Sequence, residues 1–138
     1  MGIARNQFQN ILKGIFTAGN TIDLYSTVPD ETTESGGVKI SGSSYKSYKI
    51  QDGDFTVSGG EVTSAKNMLL YLCEDTGGNG VARGFGVFNG GTLLYFGAFT
   101  EPMTIGYNTV PTIKKYSAAL NEGVHITMTS TNVSATAE

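Results

Sequence analysis

Two apolar runs flank an Asn-Gly-Gly in GVFNGGTLLYFGAF, residues 86–99, and this pattern limits the fold more than any other in the chain. Asn89-Gly90 supplies the positive φ angles that a tight β-hairpin requires, and Gly91 is available for a bulge. The stretch therefore predicts an antiparallel hairpin whose arms are residues 81–88 and 92–99.

Three glycines, at positions 84, 86 and 97, fall inside the arms of this hairpin. Glycine weakens a strand, and its missing side chain usually lets a backbone or a large ring approach closely. Aromatic packing over glycine inside a core is therefore expected. The aromatic side chains available to cover these glycines are Phe85, Phe88, Tyr95, Phe96 and Phe99.

Turn signals recur from residue 21 onward and separate short candidate strands. These strands lie near residues 21–27, 38–50, 54–57, 61–72, 81–88, 92–99, 109–116 and 123–130. Short strands at this spacing favour a sandwich or barrel, and no recurring helical pattern connects them as an α/β architecture would require. The predicted fold class is mainly β: an antiparallel β-sandwich, jelly-roll-like, with one N-terminal amphipathic helix.

The segment from Arg5 to Phe16 has helical periodicity. Its apolar residues recur at i, i+3, i+4 and i+7, and they are Phe8, Ile11, Leu12 and Ile15. Gly19 is expected to stop the helix after about three turns. The apolar stripe either covers the edge of its own domain or docks on a neighbouring subunit. We take docking as the hypothesis and assign the four residues to protein interaction.

The chain is predicted to form one domain, because 138 residues can enclose a core without disulfides. Residues 1–19 form the helical segment, residues 20–130 the β-sandwich, and residues 131–138 a mobile C-terminal tail. Cys73 is the single cysteine and follows three apolar residues. It is expected to be a buried thiol in a protein that matures in a reducing compartment.

Charge and hydropathy argue against several partners. The formal net charge is -3 and the nine Lys and Arg residues are scattered, which argues against nucleic acid. Neither a run of about 18 apolar residues nor a signal peptide pattern is found, so we expect no membrane partner and no secretion. Only 15% of the residues are charged, which fits a surface largely covered by copies of the protein or by partners.

Residues for catalysis or metal binding are sparse. The single histidine, His125, lies in an alternating strand pattern and is expected on the outer face, without the partners of a dyad or triad. One His and one Cys cannot complete a zinc site, and the acidic pairs at 52–54 and 74–75 lack the spacing of a calcium loop. These carboxylates are interpreted as turn caps. We therefore predict no enzymatic activity, no metal and no cofactor.

Four tyrosines offer an alternative function. Amphipathic rings suit wet binding faces, and exposed tyrosines can stack on sugars. The candidates for carbohydrate contact are Tyr45, Tyr48, Tyr107 and Tyr116. This alternative, an adhesin or receptor-binding module for a cell-surface glycan, requires several of the four rings to converge on one exposed groove.

The order of these segments resembles a family of small tailed-bacteriophage virion proteins, of the tail fibre, minor structural or head-decoration type. The likeness spans roughly residues 5–130. It rests on the leading helix, the strand at 23–27 that ends at Pro29, the Gly-x-x-Tyr element in Ile40–Tyr45, and the hairpin from Ala82 to Tyr95.

The resemblance implies a non-enzymatic virion structural protein that acts through repeated protein contacts. It implies other virion proteins as partners, self-association, and assembly into the virion in the host cytoplasm; a trimer is compatible with either a tail or a capsid position. The family's usual central tryptophan is absent, and Met68, Leu69 and Leu70 occupy that region. The position in the tail or baseplate, or on the capsid, therefore stays open.

Overall fold

The computed structural model describes residues 3–128, which contain one helix and ten strands. The helix, α1, spans Arg5–Ile15. The strands in chain order are β1 (Thr21–Thr27), β2 (Val38–Lys39), β3 (Tyr48–Lys49), β4 (Phe55–Ser58), β5 (Glu61–Ser64), β6 (Met68–Leu69), β7 (Gly80–Asn89), β8 (Thr92–Ile105), β9 (Thr112–Ile113) and β10 (His125–Thr127). The predicted class, mainly β with antiparallel sheets and an N-terminal helix, is confirmed. The predicted tail, residues 131–138, lies outside the described residues.

The strands form three antiparallel sheets. The largest has the order β2-β1-β7-β8, and β3 also pairs with β1. A second sheet has the order β10-β5-β4, while β6 and β9 form a two-stranded ribbon. β1 and β7 are thus the inner strands of the largest sheet, and β8 lies at its edge. Within residues 3–128, no helix is long and apolar enough to span a membrane.

One hydrophobic cluster connects α1 with all three sheets in a sandwich-like arrangement. Val62 in β5, Val87 in β7 and Cys73 beyond β6 have no exposed surface. The expected buried thiol is confirmed. Burying an aliphatic side chain contributes roughly 1.5–3 kcal/mol, so side chains of this kind hold the three sheets together.

The predicted hairpin forms, with its turn one residue further along the chain. Asn89 pairs with Thr92, so Gly90 and Gly91 make the loop, and Gly90 takes the positive φ of 60°. The expectation that Asn89 would belong to the turn is therefore wrong. Consecutive glycines let the turn move, and Asn89 stays in the strand. The bulge expected at Gly91 lies at Leu94 instead.

Large rings lie close against the hairpin at Gly86 and Gly97, as expected, whereas Gly84 faces the carbonyl oxygen of Gly97 and a methyl group of Val28. A Cβ at Gly86 would lie 2.8 Å from Cε2 of Tyr25 and 2.9 Å from Cε1 of Phe88. A Cβ at Gly97 would lie 2.5 Å from the hydroxyl oxygen of Tyr95. Because real Cβ atoms do not approach other heavy atoms so closely, these rings fill space that only glycine leaves free.

The pairing of β8 with β7 is interrupted at residues 99–102, which lie opposite Arg83 alone. Pro102, which has no N–H to donate, falls within this interruption. The pairing resumes at Met103. The interruption separates the first portion of β8, residues 92–98, from a shorter second portion.

Asn20 closes the C-terminal end of α1. Its Nδ2 donates to the carbonyl of Gly14 at 3.2 Å and to that of Ile15 at 2.8 Å. Carbonyls in the last turn of a helix have no intrahelical partner and need such a donor. Gly19, the predicted stop, has a φ of 97° and brings the chain back so that Asn20 reaches them.

Phe16, directly after α1, joins the helix to both larger sheets. The centroid of its ring lies 5.0 Å from that of Phe55 in β4 and 5.5 Å from that of Tyr95 in β8. Tilted aromatic pairs at such distances contribute roughly 0.5–1.5 kcal/mol beyond the area that they bury. The end of the helix is therefore fixed to the core by packing as well as by its cap.

The prediction of one strand over residues 38–50 is wrong for most of its length. Only Val38–Lys39 and Tyr48–Lys49 are strands, and a loop lies between them. The candidate strands at 61–72 and 109–116 are also longer than the strands observed. Polar side chains of the loop donate to carboxylates elsewhere in the chain, and these hydrogen bonds hold the loop in place without a sheet.

Asp23, in β1, is one carboxylate that holds this loop. It is 6% exposed and accepts hydrogen bonds from the hydroxyls of Tyr45, at 2.8 Å, and Ser47. Nζ of Lys39 lies 3.0 Å from its second oxygen. Burial raises the pKa of this carboxyl, but the three donors outweigh burial and lower the pKa below the ordinary 3.8.

Asp23→Asn is expected to destabilise the protein by about 1–3 kcal/mol at neutral pH, because three donors lose a charged acceptor. Since the folded-state pKa is lowered, this contribution is fully present above pH 3.8 and is lost as the pH falls through the folded-state pKa. Urea denaturation across this pH range should show the wild type and the variant converging in acid. The control Asp52→Asn, at an exposed carboxylate, should shift stability by less than about 0.5 kcal/mol. A deficit independent of pH would contradict the assignment.

Candidate functional site

The apolar stripe of α1 faces the protein's own core. Phe8 and Leu12 are each 4% exposed, Ile15 packs partly buried against the core, and Ile11 remains 38% exposed. α1 lies on β4 and β5. This corrects the docking hypothesis for Phe8 and Leu12, because helical periodicity identifies an apolar face but not the surface that covers it.

Two of the four candidate tyrosines have structural partners for their hydroxyls. Tyr45 donates to Asp23 and accepts the backbone N–H of Leu24 at 3.0 Å. Tyr48 donates to Oδ2 of Asp54 at 2.6 Å. Burial, together with the neighbouring carboxylate, raises the pKa of each tyrosine above its ordinary value. Hydroxyls engaged in this way are not available to hydrogen-bond a sugar.

Tyr107 and Tyr116 lie in different places. Tyr107 is 59% exposed in the loop that follows β8. Tyr116 lines a groove of about 590 Å³ between residues 99–103 of β8, β9 and the chain that leads to β10. Among the described residues that line this groove, Tyr116 is the one tyrosine, so the structure does not bring the four predicted rings together.

His125 lines the same groove from β10. Its Nε2 lies 3.0 Å from Oε1 of Glu61, and its ring centroid lies 4.7 Å from that of Tyr116. The side chain is 38% exposed, as expected of an outward-facing residue in a strand. Within residues 3–128, no hydroxyl or thiol side chain hydrogen-bonds to this imidazole. The His125–Glu61 pair therefore lacks the nucleophile that a hydrolytic triad requires.

One carboxylate in each of the two acidic turns, Asp54 or Asp75, is engaged by protein donors. Asp54 accepts the backbone N–H of Gln51 at 2.8 Å, which confirms it as a turn cap. Asp75 accepts from Oγ of Ser44 at 2.9 Å and from Nδ2 of Asn79 at 2.5 Å, so it also ties down the loop that precedes β3. In the described part of the chain, no three His, Cys, Asp or Glu residues are grouped so that they could hold a metal ion.

The β6–β9 ribbon exposes several large apolar side chains. A bridge between Cys73 and Thr109 continues the ribbon beyond the two strands. The exposed side chains along it, which we call the ribbon patch, are Leu69 (66% exposed), Leu72 (45%), Tyr107 (59%) and Val110 (40%). Several exposed apolar groups along one element make it a candidate contact surface, whereas single ones are common on any protein surface.

Sequence reasoning did not identify the ribbon patch or the roles of Asp23 and Asn20. An uninterrupted apolar run such as 68–72 predicts a fully buried strand, which conceals that Leu69 and Leu72 point outward. An acid between two apolar residues, as at Asp23, is a usable signal, because a charge inside a buried strand needs partners.

Two surfaces of the described residues are left without an internal role. The ribbon patch is apolar, whereas the groove carries polar and charged side chains, including Lys114 and Glu122, which pair at 3.2 Å. Comparison with protein-family models, with curated proteins and with solved structures finds no match to the chain. These two surfaces therefore carry the argument about function.

Leu12→Ala is expected to destabilise the fold by about 2–5 kcal/mol, because it leaves a cavity in the core beneath α1. Ile11→Ala is the matched control on the same helix, and it should cost about 1 kcal/mol or less because Ile11 is partly exposed. Urea denaturation of the two variants measures the difference. Equal stability losses would show that the stripe is not buried as described.

Proposed function

We propose that this protein is a non-enzymatic structural component of a bacteriophage virion and assembles through protein–protein contacts. The observation that carries the proposal is the ribbon patch, in which every side chain is at least 40% exposed. Removing apolar surface from water contributes about 25 cal/mol per Å², so covering this patch with another protein is favourable. Other virion proteins are the proposed partners.

The low charge of the chain supports the same proposal. Only 15% of the residues are charged and the net charge is -3, so little electrostatic repulsion opposes close approach of further subunits. The segment order that resembles small virion proteins also corresponds to elements of the fold: α1 precedes β1, and β7 and β8 form the hairpin. Assembly in the host cytoplasm and a final location in the virion follow from this role.

Phage particles are purified on a gradient from a culture in which the gene for this protein is expressed. Mass spectrometry of these particles should detect the protein in a fixed ratio to other virion proteins. Leu69→Asp should be depleted from the particles, because a charge in the ribbon patch opposes its burial. Leu120→Asp is the control, since Leu120 is 69% exposed in the segment between β9 and β10 and is not one of the ribbon patch residues.

Absence of the chain from the particles would refute the virion role. Equal incorporation of Leu69→Asp and wild type would keep the virion role but remove the ribbon patch as its contact surface. Circular dichroism of both purified variants verifies that a folded protein is compared in each case.

The groove at Tyr116 favours carbohydrate binding as a second candidate function. A partly exposed ring lies there beside Lys114, Asn121 and Glu122, which can donate to and accept from hydroxyl groups. An aromatic face with a few hydrogen-bonding groups in a concave site suits a pyranose ring. This candidate depends on one tyrosine rather than on four.

If the groove binds sugar, Tyr116→Ala should weaken glycan binding about tenfold, because the stacking surface is lost. Tyr107→Ala, which removes an exposed ring outside the groove, should bind as the wild type does. A glycan array followed by calorimetry measures both variants. Failure of the wild type to bind any glycan, or unchanged binding by Tyr116→Ala, would reject the groove as a carbohydrate site.

A further inference from the structure

β8 is a long strand with one free edge. It pairs with β7 along one side, and within residues 3–128 no other strand pairs with it. In the same residues, no backbone N–H or C=O of 92–104 forms a hydrogen bond outside the β7–β8 ladder. Alternate residues of an edge strand direct these groups away from the sheet, so β8 presents a row of unused donors and acceptors.

The first portion of β8 has only one of the features that protect edge strands, a bulge at Leu94. Residues 84–100 contain no charged side chain, and residues 92–98 contain no proline. Natural edge strands are usually short, charged, interrupted by proline or covered, because a bare edge pairs with other chains. The bulge at Leu94 is the single irregularity within this portion. Its edge is thus open to a further strand.

The side chains beside this edge are also incompletely covered. Leu93, Leu94 and Phe96 are only partly buried, and none of them belongs to the hydrophobic cluster. In contrast, residues 84–88 of the neighbouring β7 are all buried. An added strand would therefore cover apolar surface as well as satisfy backbone groups.

The other sheet edges do not match β8. On the far side of the largest sheet, β2 and β3 have two residues each and carry Lys39 and Lys49. In the second sheet, β10 has three residues, and β4 has four and packs against α1. Among the edges of these two sheets, the first portion of β8 therefore has no counterpart of equal length without charge, and a second copy of the protein supplies one.

We propose that two copies of the protein pair along β8, antiparallel and about a two-fold axis, through residues 92–98. The contact is isologous, so each copy contributes the same segment and the two five-stranded sheets become one continuous sheet. This inference rests on the proposed structural role and names a self-contact for it. A three-fold ring would need two different surfaces, so the edge specifies a dimer rather than the trimer considered from the sequence.

Sedimentation velocity over a concentration series, with the full chain, tests the dimer. Leu94→Lys should raise the dissociation constant at least about tenfold, because it places like charges near the two-fold axis. Leu94 is the unpaired residue of the bulge, so its replacement disturbs the β7–β8 ladder least. Leu120→Lys, an equally charged change at an exposed leucine outside the edge, should dimerise as the wild type does.

Hydrogen exchange of the wild type makes the test independent of any variant. Backbone amides in residues 92–98 should exchange more slowly as the protein concentration rises through the range in which the dimer forms. The exchange of amides in α1 should not change. Complete protection of 92–98 in a sample that sedimentation shows to be monomeric would mean that residues 129–138, or another part of the same chain, cover the edge. That result would overturn the proposal.

Other outcomes separate this inference from the virion role. A wild type that stays monomeric at every concentration, or a dimer unaffected by Leu94→Lys, overturns β8 pairing. If the chain is nevertheless found in purified particles, only the edge contact fails. A β8 dimer formed by a chain that is absent from particles would instead leave the edge contact standing and remove the virion role.

Discussion

The whole sheet depends on β7 being packed tightly on both faces. Phe85 and Val87 point into the core, while Gly84 and Gly86 alternate with them on the opposite face. Because glycine adds no bulk, the ring of Tyr25 lies directly against the strand at Gly86. β1 and β7 are therefore covered on both sides, as inner strands of a sheet with two packed faces must be.

The same constraint determines what β8 contributes. Tyr95 and Phe99 each pack against Phe85, with ring centroids 5.6 Å apart, so the core side of β8 is firmly attached. On the other face, Phe96 pairs in register with Gly86 and lies outside the hydrophobic cluster. β8 thus contacts the rest of the domain through its core face and through the edge that pairs with β7. Its other face and its other edge are available for contacts beyond the domain.

The sequence predicts well those strands and turns whose structure depends on residues close together in the chain. Strand 21–27 was predicted at its observed bounds, and the hairpin was displaced by one residue only at its turn. The loop before β3 could not be predicted in this way, because Asp23 and Asp75 hold it from more than 20 residues away in sequence. Likewise, periodicity located the helix stripe but could not reveal that its own domain covers Leu12. Outward-facing leucines on the ribbon were hidden inside an apolar run.

The contrast between the two edges of the largest sheet is the strongest argument in the fold for self-association through β8. The β2 edge is two residues long and carries Lys39, whose charge is paired with Asp23 and whose Nζ lies 4.1 Å from the centroid of Phe88. On the β8 edge, the seven residues 92–98 carry no charged side chain. The low overall content of charged residues cannot explain this difference between the edges, since both edges belong to one sheet of one protein. A bare edge is an aggregation hazard unless a partner covers it, so the asymmetry favours specific pairing at β8.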